Sequence, residues 1–374
     1  MRVLHIISDG NIGGAGILLL NLLRHFDPSR VESVVALPRG SALCERVAAT
    51  GTPYLELESP CDRPRLSSVR ELRRMIRAVD PAIVHTNAAV SARIAGRFCR
   101  RAVVYTRHCC FPPSGFWRDP LLRAAGGLCN RMFYDRVIAT AESAAENLTA
   151  CGVPRRHISV IVNGTDGVRP VSEEEKRRWR ERLGIRPEDF CVGICARLEP
   201  CKGHDTFLRA ARLVRRILPG VRFRFLLMGT GSLMGSLRRR SDELGLSDAV
   251  IFTGFLPDPA PVYRLLRIHV NCSCGTETSC LAVSEGMSAG LPTVLTDFGG
   301  NPAMLGSSGA GFCVPVGNAF ALAEAICRIA SRPALESAMS ARARKRYEES
   351  FTAARMTDQL TAVYEQLAER EGRR

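Results

Sequence analysis

No Asp-x-Asp occurs anywhere in the 374 residues, so the carboxylate pair that commonly presents a divalent cation to a diphosphate is missing. Tryptophan occurs only twice and aromatic residues make up 6% of the chain, which argues against a glycoside hydrolase built on an aromatic sugar platform. The fifteen cysteines include no Cys-x-x-Cys pair and no Cys/His spacing suited to zinc; Cys109 and Cys110 are adjacent, Cys272 and Cys274 are one apart, and the rest are scattered. An odd number of such thiols is expected of a reduced cytoplasmic compartment. The opening run Met-Arg-Val-Leu-His-Ile-Ile-Ser is too short for a signal or membrane helix and reads as a first strand, and no later apolar run spans a bilayer. A cytoplasmic protein is expected, with peripheral attachment to the membrane face as the alternative to a free state.

What is present is a soluble globular composition, 46% hydrophobic and 24% charged, on a chain long enough for two domains. The net charge of +15 calls for an acidic surface or substrate. Nucleic acid fits poorly, because the basic residues are dispersed through stretches such as 176–182 and 209–216 without interleaved aromatics. An anionic membrane surface or an anionic acceptor fits better. Between positions 111 and 133, Phe111, Phe116, Trp117, Leu121, Leu122, Met132 and Phe133 alternate with Arg118, Arg123 and Arg131. That is the pattern of an interfacial segment, and equally of a surface helix packed on a core.

Apolar runs of strand length recur at 3–8, 33–38, 54–58, 83–87, 103–108, 137–140 and 158–162, each followed by an amphipathic or small-residue stretch. A polar linker is expected over 167–175. A second series follows at 191–196, 223–228, 250–253, 268–273, 293–296 and 312–316, then tandem helices from Ala319 to the end. Two doubly wound α/β domains are the economical reading.

Ligands of such sheets sit at the carboxyl ends of the strands, and there the informative residues cluster. After the run ending at Ser273, Glu277 and Glu285 flank Thr278, Ser279, Cys280 and Leu281. Ser279 reads as an N-cap, 281–289 as a short helix and Gly290-Leu-Pro292 as its stop. The free amides at this helix start suit a diphosphate, and a carboxylate on either side suits vicinal hydroxyls. Arg197 and Lys202 follow the strand at 191–196. Gly229 and Gly231 make a turn after 223–228, and Gly254, Phe255 and Leu256 follow 250–253, where backbone groups can meet a nucleobase. Near the start, Gly10-Asn-Ile-Gly13-Gly14-Ala-Gly16 opens a helix after the first strand. A dinucleotide reading is weakened because the next strand ends in Val35-Ala-Leu-Pro38 without an acid for a ribose. Gly13 and Gly14 allow close backbone approach to a ligand, or simply fit a tight turn. His85 lies within the run 83–87, and His108 follows Tyr105-Thr-Arg107 at the end of the run 103–108.

Glu-x7-Glu before a small-residue helix and Gly-Leu-Pro, with Arg197-Leu-x-x-x-Lys202-Gly, Ile161-Val-Asn163-Gly164 and the glycine turns in the same order, resembles the family 4 retaining glycosyltransferases of GT-B fold. The resemblance covers nearly the whole chain. It implies two Rossmann-like domains facing a central cleft: an acceptor-binding domain over 1–166, joined by the last helix 351–374, and a nucleotide-sugar-binding domain over 167–350. It implies that Arg197 and Lys202 hold the donor pyrophosphate, that Glu277 orients the sugar hydroxyls, that Glu285 takes the ribose and that His108 lies near the reacting sugar. No cofactor and no metal are expected, only a nucleoside-diphosphate sugar as donor, UDP-sugar ahead of GDP-sugar. The acceptor would be a sugar or a lipid-linked or anionic molecule in cell-surface polysaccharide, lipopolysaccharide or glycolipid synthesis. Departures are Ala196 where glycine is usual, Thr278-Ser279-Cys280 in place of a glycine-rich loop, and Gly299-Gly300-Asn301-Pro302-Ala303, where alanine replaces a glutamate. A sugar-nucleotide epimerase of similar fold and a basic nucleic-acid-binding protein are the alternatives.

Overall fold

A computed structural model describes residues 1–87, 89–108 and 131–372. The apolar and arginine-rich run expected to meet a membrane falls mostly on 109–130, outside the described residues. Contacts divide the chain into two units, Met1–Thr165 with Ala353–Arg374, and Asp166–Thr352.

Unit 1 is a seven-stranded parallel sheet: β1 (Arg2–Ile7), β2 (Glu32–Pro38), β3 (Tyr54–Leu57), β4 (Ile83–Asn87), β5 (Ala102–Arg107), β6 (Arg136–Ala139) and β7 (Ile158–Val160). The strand order is β3-β2-β1-β4-β5-β6-β7. Its central strands are apolar on both faces, as a sheet covered by helices on both sides requires; Val3, Leu4, Ile6 and Ile7 of β1 are all buried. The order reverses between β1 and β4, which pair in register from Val3↔Ile83 to Ile7↔Asn87. Loops leaving the carboxyl ends of those two strands diverge and leave room for a ligand.

The last helix, Ala353–Gly372, belongs to this unit although most of the chain separates it from β7. Its buried Met356, Leu360, Val363, Tyr364 and Leu367 form the apolar stripe that docks it. Tyr364 reaches the middle of the sheet, where its hydroxyl meets His85 Nδ1, and His85 Nε2 lies 2.6 Å from Thr106 Oγ1. His85 is therefore an interior residue with both ring nitrogens engaged. Outside the core, Arg30 grips Glu365 through two bonds of 3.0 and 2.9 Å.

Unit 2 is a six-stranded parallel sheet of β8 (Phe190–Cys195), β9 (Phe223–Met228), β10 (Val250–Gly254), β11 (Ile268–Asn271), β12 (Thr293–Thr296) and β13 (Gly311–Val314), in the order β10-β9-β8-β11-β12-β13. Its switch point lies between β8 and β11. Three local expectations are corrected. The stretch read as a linker over 167–175 is entered by the helix Glu173–Leu183, because Ser172 caps it by accepting the Glu175 amide at 3.1 Å. The run 268–273 stops being a strand at Asn271, since the Ser273 amide turns back onto Asn271 Oδ1 at 2.9 Å. Cys280, not Ser279, is the N-cap of the helix Leu281–Ser288, without a side-chain cap bond.

The buried histidines of unit 1 give a pH dependence whose sign is fixed. Burial lowers His5 to about 3 and, with the neighbouring His5 and His108, holds His85 well below its ordinary value. Between about 6.5 and 3 the unfolded chain takes up protons that the folded unit refuses, so stability is complete above about 6.5 and falls on acidification by about 1.4 kcal/mol per pH unit per group. Tyr364→Phe is expected to leave His85 Nδ1 unpaired and cost about 1–3 kcal/mol, read from urea unfolding at neutral pH. Stability equal to wild type would remove Tyr364 as the anchor of the last helix.

Candidate functional site

At the carboxyl end of β8 the chain makes a short turn, Pro200–Lys202, and Gly203 follows with φ of 69°. A Cβ on Gly203 would stand 2.1 Å from the Cys272 carbonyl, so only glycine lets this loop run against the one leaving β11. The Cys274 amide then donates to the Cys201 carbonyl at 2.9 Å. The two loops carry Lys202 and Glu277 into contact, Nζ to Oε2 at 2.7 Å, with side chains 17% and 8% exposed. Ser273 Oγ donates to the same carboxylate oxygen at 2.7 Å. Behind it, Asn301 Nδ2 donates to Asn271 Oδ1 and Thr296 Oγ1, each at 3.3 Å, and Asn271 Nδ2 reaches Cys280 Sγ at 3.1 Å.

Burial alone would raise the Glu277 pKa. The Lys202 charge, with hydrogen bonds from Lys202, Ser273 and Asn271, outweighs it and holds the carboxyl below the ordinary range. Lys202 is shifted up in turn: desolvation opposes its charge, while Cys280 and Glu277 favour it.

Glu285 sits in a contrasting environment. Gly286 next to it lets the helix Leu281–Ser288 settle directly on β11, since a Cβ there would stand 2.8 Å from His269 Cγ. That seating brings Glu285 Oε2 within 3.0 Å of the hydroxyl of Tyr263, which is fully buried. Desolvation pushes Glu285 up to about 7, and the Tyr263 bond pulls the other way. The helix start at Cys280 and Leu281, preceded by buried Thr278 and Ser279, has no side-chain cap bond, and first-turn amides of a helix are the groups that can meet an anion.

The remaining candidates of unit 2 follow the carboxyl ends of β8, β9 and β10. Arg197 is exposed just past β8, beside Glu199, which accepts from Ser232 N and Oγ at 3.1 and 2.8 Å. Gly229 and Gly231 are required by that packing: a Cβ on either would stand 2.2 Å from the Ala196 carbonyl or 2.5 Å from that of Leu198. Phe255 follows β10 at 57% exposure, with Leu256 partly covered. Gly299 packs its backbone on the Glu277 carbonyl, where a Cβ would stand 2.1 Å away, and Ala303 lies exposed on the short helix Asn301–Leu305.

In unit 1, Gly13 caps the helix Gly14–His25. A Cβ on Gly13 would meet only Asp9 Oδ2 at 3.9 Å, and one on Gly14 nothing within 4 Å, so neither glycine is imposed by packing. Gly16 differs, because Leu43 leaves no room for a side chain there. His108 follows β5, and its Nε2 lies 2.9 Å from Asn87 Oδ1 at the end of β4. Desolvation lowers His108 to about 4, which keeps it neutral. Among the described residues no three His, Cys, Asp or Glu side chains gather as a metal site.

Comparison with known proteins gives this arrangement a family. Residues 12–169 match the model described as Glycosyltransferase Family 4, and 189–332 that described as Glycosyl transferases group 1. "Putative glycosyltransferase EpsD" of Bacillus subtilis is 30% identical over 342 residues, 84% of this chain and 88% of that protein. The chain belongs to glycosyltransferase family 4. Another relative of this family 4 glycosyltransferase, the D-inositol 3-phosphate glycosyltransferase of Saccharomonospora viridis, is 32% identical over 198 residues, 50% of this chain and 44% of its own. The two-sheet GT-B fold is shared with HepE of Anabaena in complex with UDP, at a TM-score of 0.83 and 22% identity over 98% of this chain and 100% of that one. Sucrose-phosphate synthase of Thermosynechococcus elongatus aligns at 0.74 and 19% identity, covering 98% and 99%.

Tyr263 escapes a reading of spacing because the Glu285 it bonds lies 22 residues away, and Asn271 and Ser273 escape it because the run 268–273 reads as one continuous strand. One compositional signal does single out Lys202: the chain has three lysines among its 52 basic residues. Lys176 and Lys345 pair with exposed glutamates on helix surfaces, so Lys202 is the one lysine paired with a buried carboxylate.

The raised Glu285 value sets a second pH dependence, opposite in sign to that of the histidines. The folded state holds the proton up to about 7 while the unfolded chain releases it near 4.5, so this contribution is present at acid pH and is lost as pH rises through that window. Tyr263→Phe removes the bond that favours the carboxylate and is expected to move the upper edge of the window upward. The difference in unfolding free energy between Glu285→Gln and its parent, followed from pH 5 to 8, reads that edge. An unchanged edge would show that Tyr263 does not govern Glu285.

Proposed function

We propose that this glycosyltransferase moves a sugar from a nucleoside-diphosphate sugar, UDP-sugar by preference, to a hydroxyl of a sugar, lipid-linked or anionic acceptor, with retention at the anomeric carbon and without a metal. The cell-surface setting would be polysaccharide, lipopolysaccharide or glycolipid synthesis. The observation that carries the reading is the buried Lys202–Glu277 pair beside a helix start without a side-chain cap, at the switch point of unit 2. HepE, in complex with UDP and with UDP-glucose, lends support as a protein of the same fold.

In this reading unit 2 binds the donor. Arg197, Lys202 and the amides at Thr278–Leu281 neutralise the diphosphate, Glu285 and the turns at Gly229, Gly231, Phe255 and Leu256 hold the nucleoside, and Glu277 orients the sugar. The bond between the anomeric carbon and the phosphate oxygen breaks with its electron pair leaving on the nucleoside diphosphate. The acceptor oxygen arrives on the same face, and its proton passes to the departing phosphate. Cationic groups are most effective at that moment, when negative charge grows on the leaving group. On unit 1, Gly13 and Gly14 leave the backbone open to close approach of an acceptor, and neutral His108 is the candidate sugar contact of that unit.

Thermal shift with UDP-, GDP- and ADP-sugars identifies the donor. Product should then form only with an acceptor, keep the donor's anomeric configuration and persist in EDTA. Lys202→Ala or Arg197→Ala is expected to slow transfer on the order of 100-fold. Glu285→Ala should chiefly weaken nucleotide binding, and wild-type affinity should improve from pH 6 to 8 as Glu285 ionises. Turnover of the sugar nucleotide to an epimer without acceptor, or activity lost in EDTA and restored by magnesium, would overturn the proposal.

A further inference from the structure

A different surface of unit 1 carries charge that nothing in the donor reading uses. Residues 61–101 contain ten arginines, no lysine and three carboxylates. All three carboxylates are engaged. Asp80 pairs with Arg101, Asp62 lies 3.8 Å from Arg63, and Glu71 accepts the amides of Glu58 and Ser59 at 2.7 and 3.1 Å. On the helix Leu66–Val79, positions 66, 70, 73 and 77 follow at intervals of four, three and four residues, which lines Leu66, Arg70, Arg73 and Arg77 along one face with Arg74 beside them. Arg70, Arg74 and Arg77 are exposed and form no ion pair among the described residues.

Large apolar side chains project from the same region. Leu66 is 66% exposed, Phe98 62% and Met132 58%. The Arg73 guanidinium lies over the Phe98 ring at 5.5 Å, which sets Phe98 on the arginine face, and Arg97, paired with Asp135, donates through Nε to the Met132 carbonyl at 2.7 Å, which ties the Met132 segment to the helix that carries Phe98.

We propose that this face, formed by the helices Leu66–Val79 and Val90–Phe98 with Met132, docks unit 1 on an anionic lipid bilayer. Charge complementarity selects the occupant. Arginines without counter-charges call for a polyanion, and protruding Leu66, Phe98 and Met132 call for a medium that accepts apolar groups. The headgroup boundary of an anionic bilayer supplies both, whereas a nucleic-acid backbone supplies only the first. None of these residues belongs to the donor site, so the proposal stands or falls independently of the reading of that site.

The test is co-sedimentation of the full chain with vesicles of phosphatidylcholine alone and of phosphatidylcholine with phosphatidylglycerol, at low and high salt. Binding should require the anionic lipid and weaken with salt. The combined variant R70Q/R74Q/R77Q should lower partitioning on the order of 100-fold while melting like wild type. Leu66→Ser with Phe98→Ser should weaken binding at both salt levels. Equal binding to phosphatidylcholine alone, a triple variant that sediments like wild type, or salt-sensitive binding to duplex DNA with none to anionic vesicles would each overturn the proposal. The lipid and salt dependence of the unaltered protein decides the matter even if a variant fails to fold.

Discussion

A carboxylate and an ammonium 2.7 Å apart, each largely removed from water, are tolerable only together. Taking either away leaves the other as an uncompensated buried charge, a change that costs about 3–5 kcal/mol in comparable sites. Much of the local chain in unit 2 follows from holding Lys202 and Glu277 in that contact. Gly203 is needed because its loop presses on the Cys272 carbonyl, and Gly299 because its backbone presses on that of Glu277. Asn271, Ser273, Thr296 and Asn301 close a hydrogen-bonded network behind the carboxylate, so its orientation is set before any ligand arrives.

The two glutamates eight positions apart are driven in opposite directions by what surrounds them. Glu277 faces a cation and stays ionised, while Glu285 faces a tyrosine and is pushed up to about 7. Equal residue types thereby acquire different chemistry: a fixed anion paired with Lys202, and a group whose charge depends on pH near neutrality. Unit 1 works on another principle. Its His5, His85 and His108 are held neutral by burial, His85 as the anchor of the last helix and His108 just past the carboxyl end of β5.

The parallel strands were legible because each is a short apolar run followed by a helical pattern, and the doubly wound class followed from that alternation. Strand ends were less so. Asn271 ends β11 through its own side chain, and Ser172 starts a helix inside an apparent linker, both effects of hydrogen bonds that polarity alone does not reveal. Lys202 and Glu277 were each singled out by their motifs, yet their contact was not, because it depends on Gly203 and on the packing of two loops. Tyr263 was invisible as a partner of Glu285, since only the seating of Gly286 on His269 brings the two together. Conversely, Gly229 and Gly231 looked like ligand glycines, and the structure gives each a packing requirement of its own.

If Lys202 and Glu277 act as one unit in the reaction, their effects cannot be independent. The direct measurement is a double-mutant cycle on kcat/KM for transfer with Lys202→Gln, Glu277→Gln and the two combined. The account predicts that the double variant is about as slow as the slower single one, a coupling on the order of 2 kcal/mol or more. Losses that add to within about 0.5 kcal/mol would contradict it, because two groups acting separately would not need to be buried against each other.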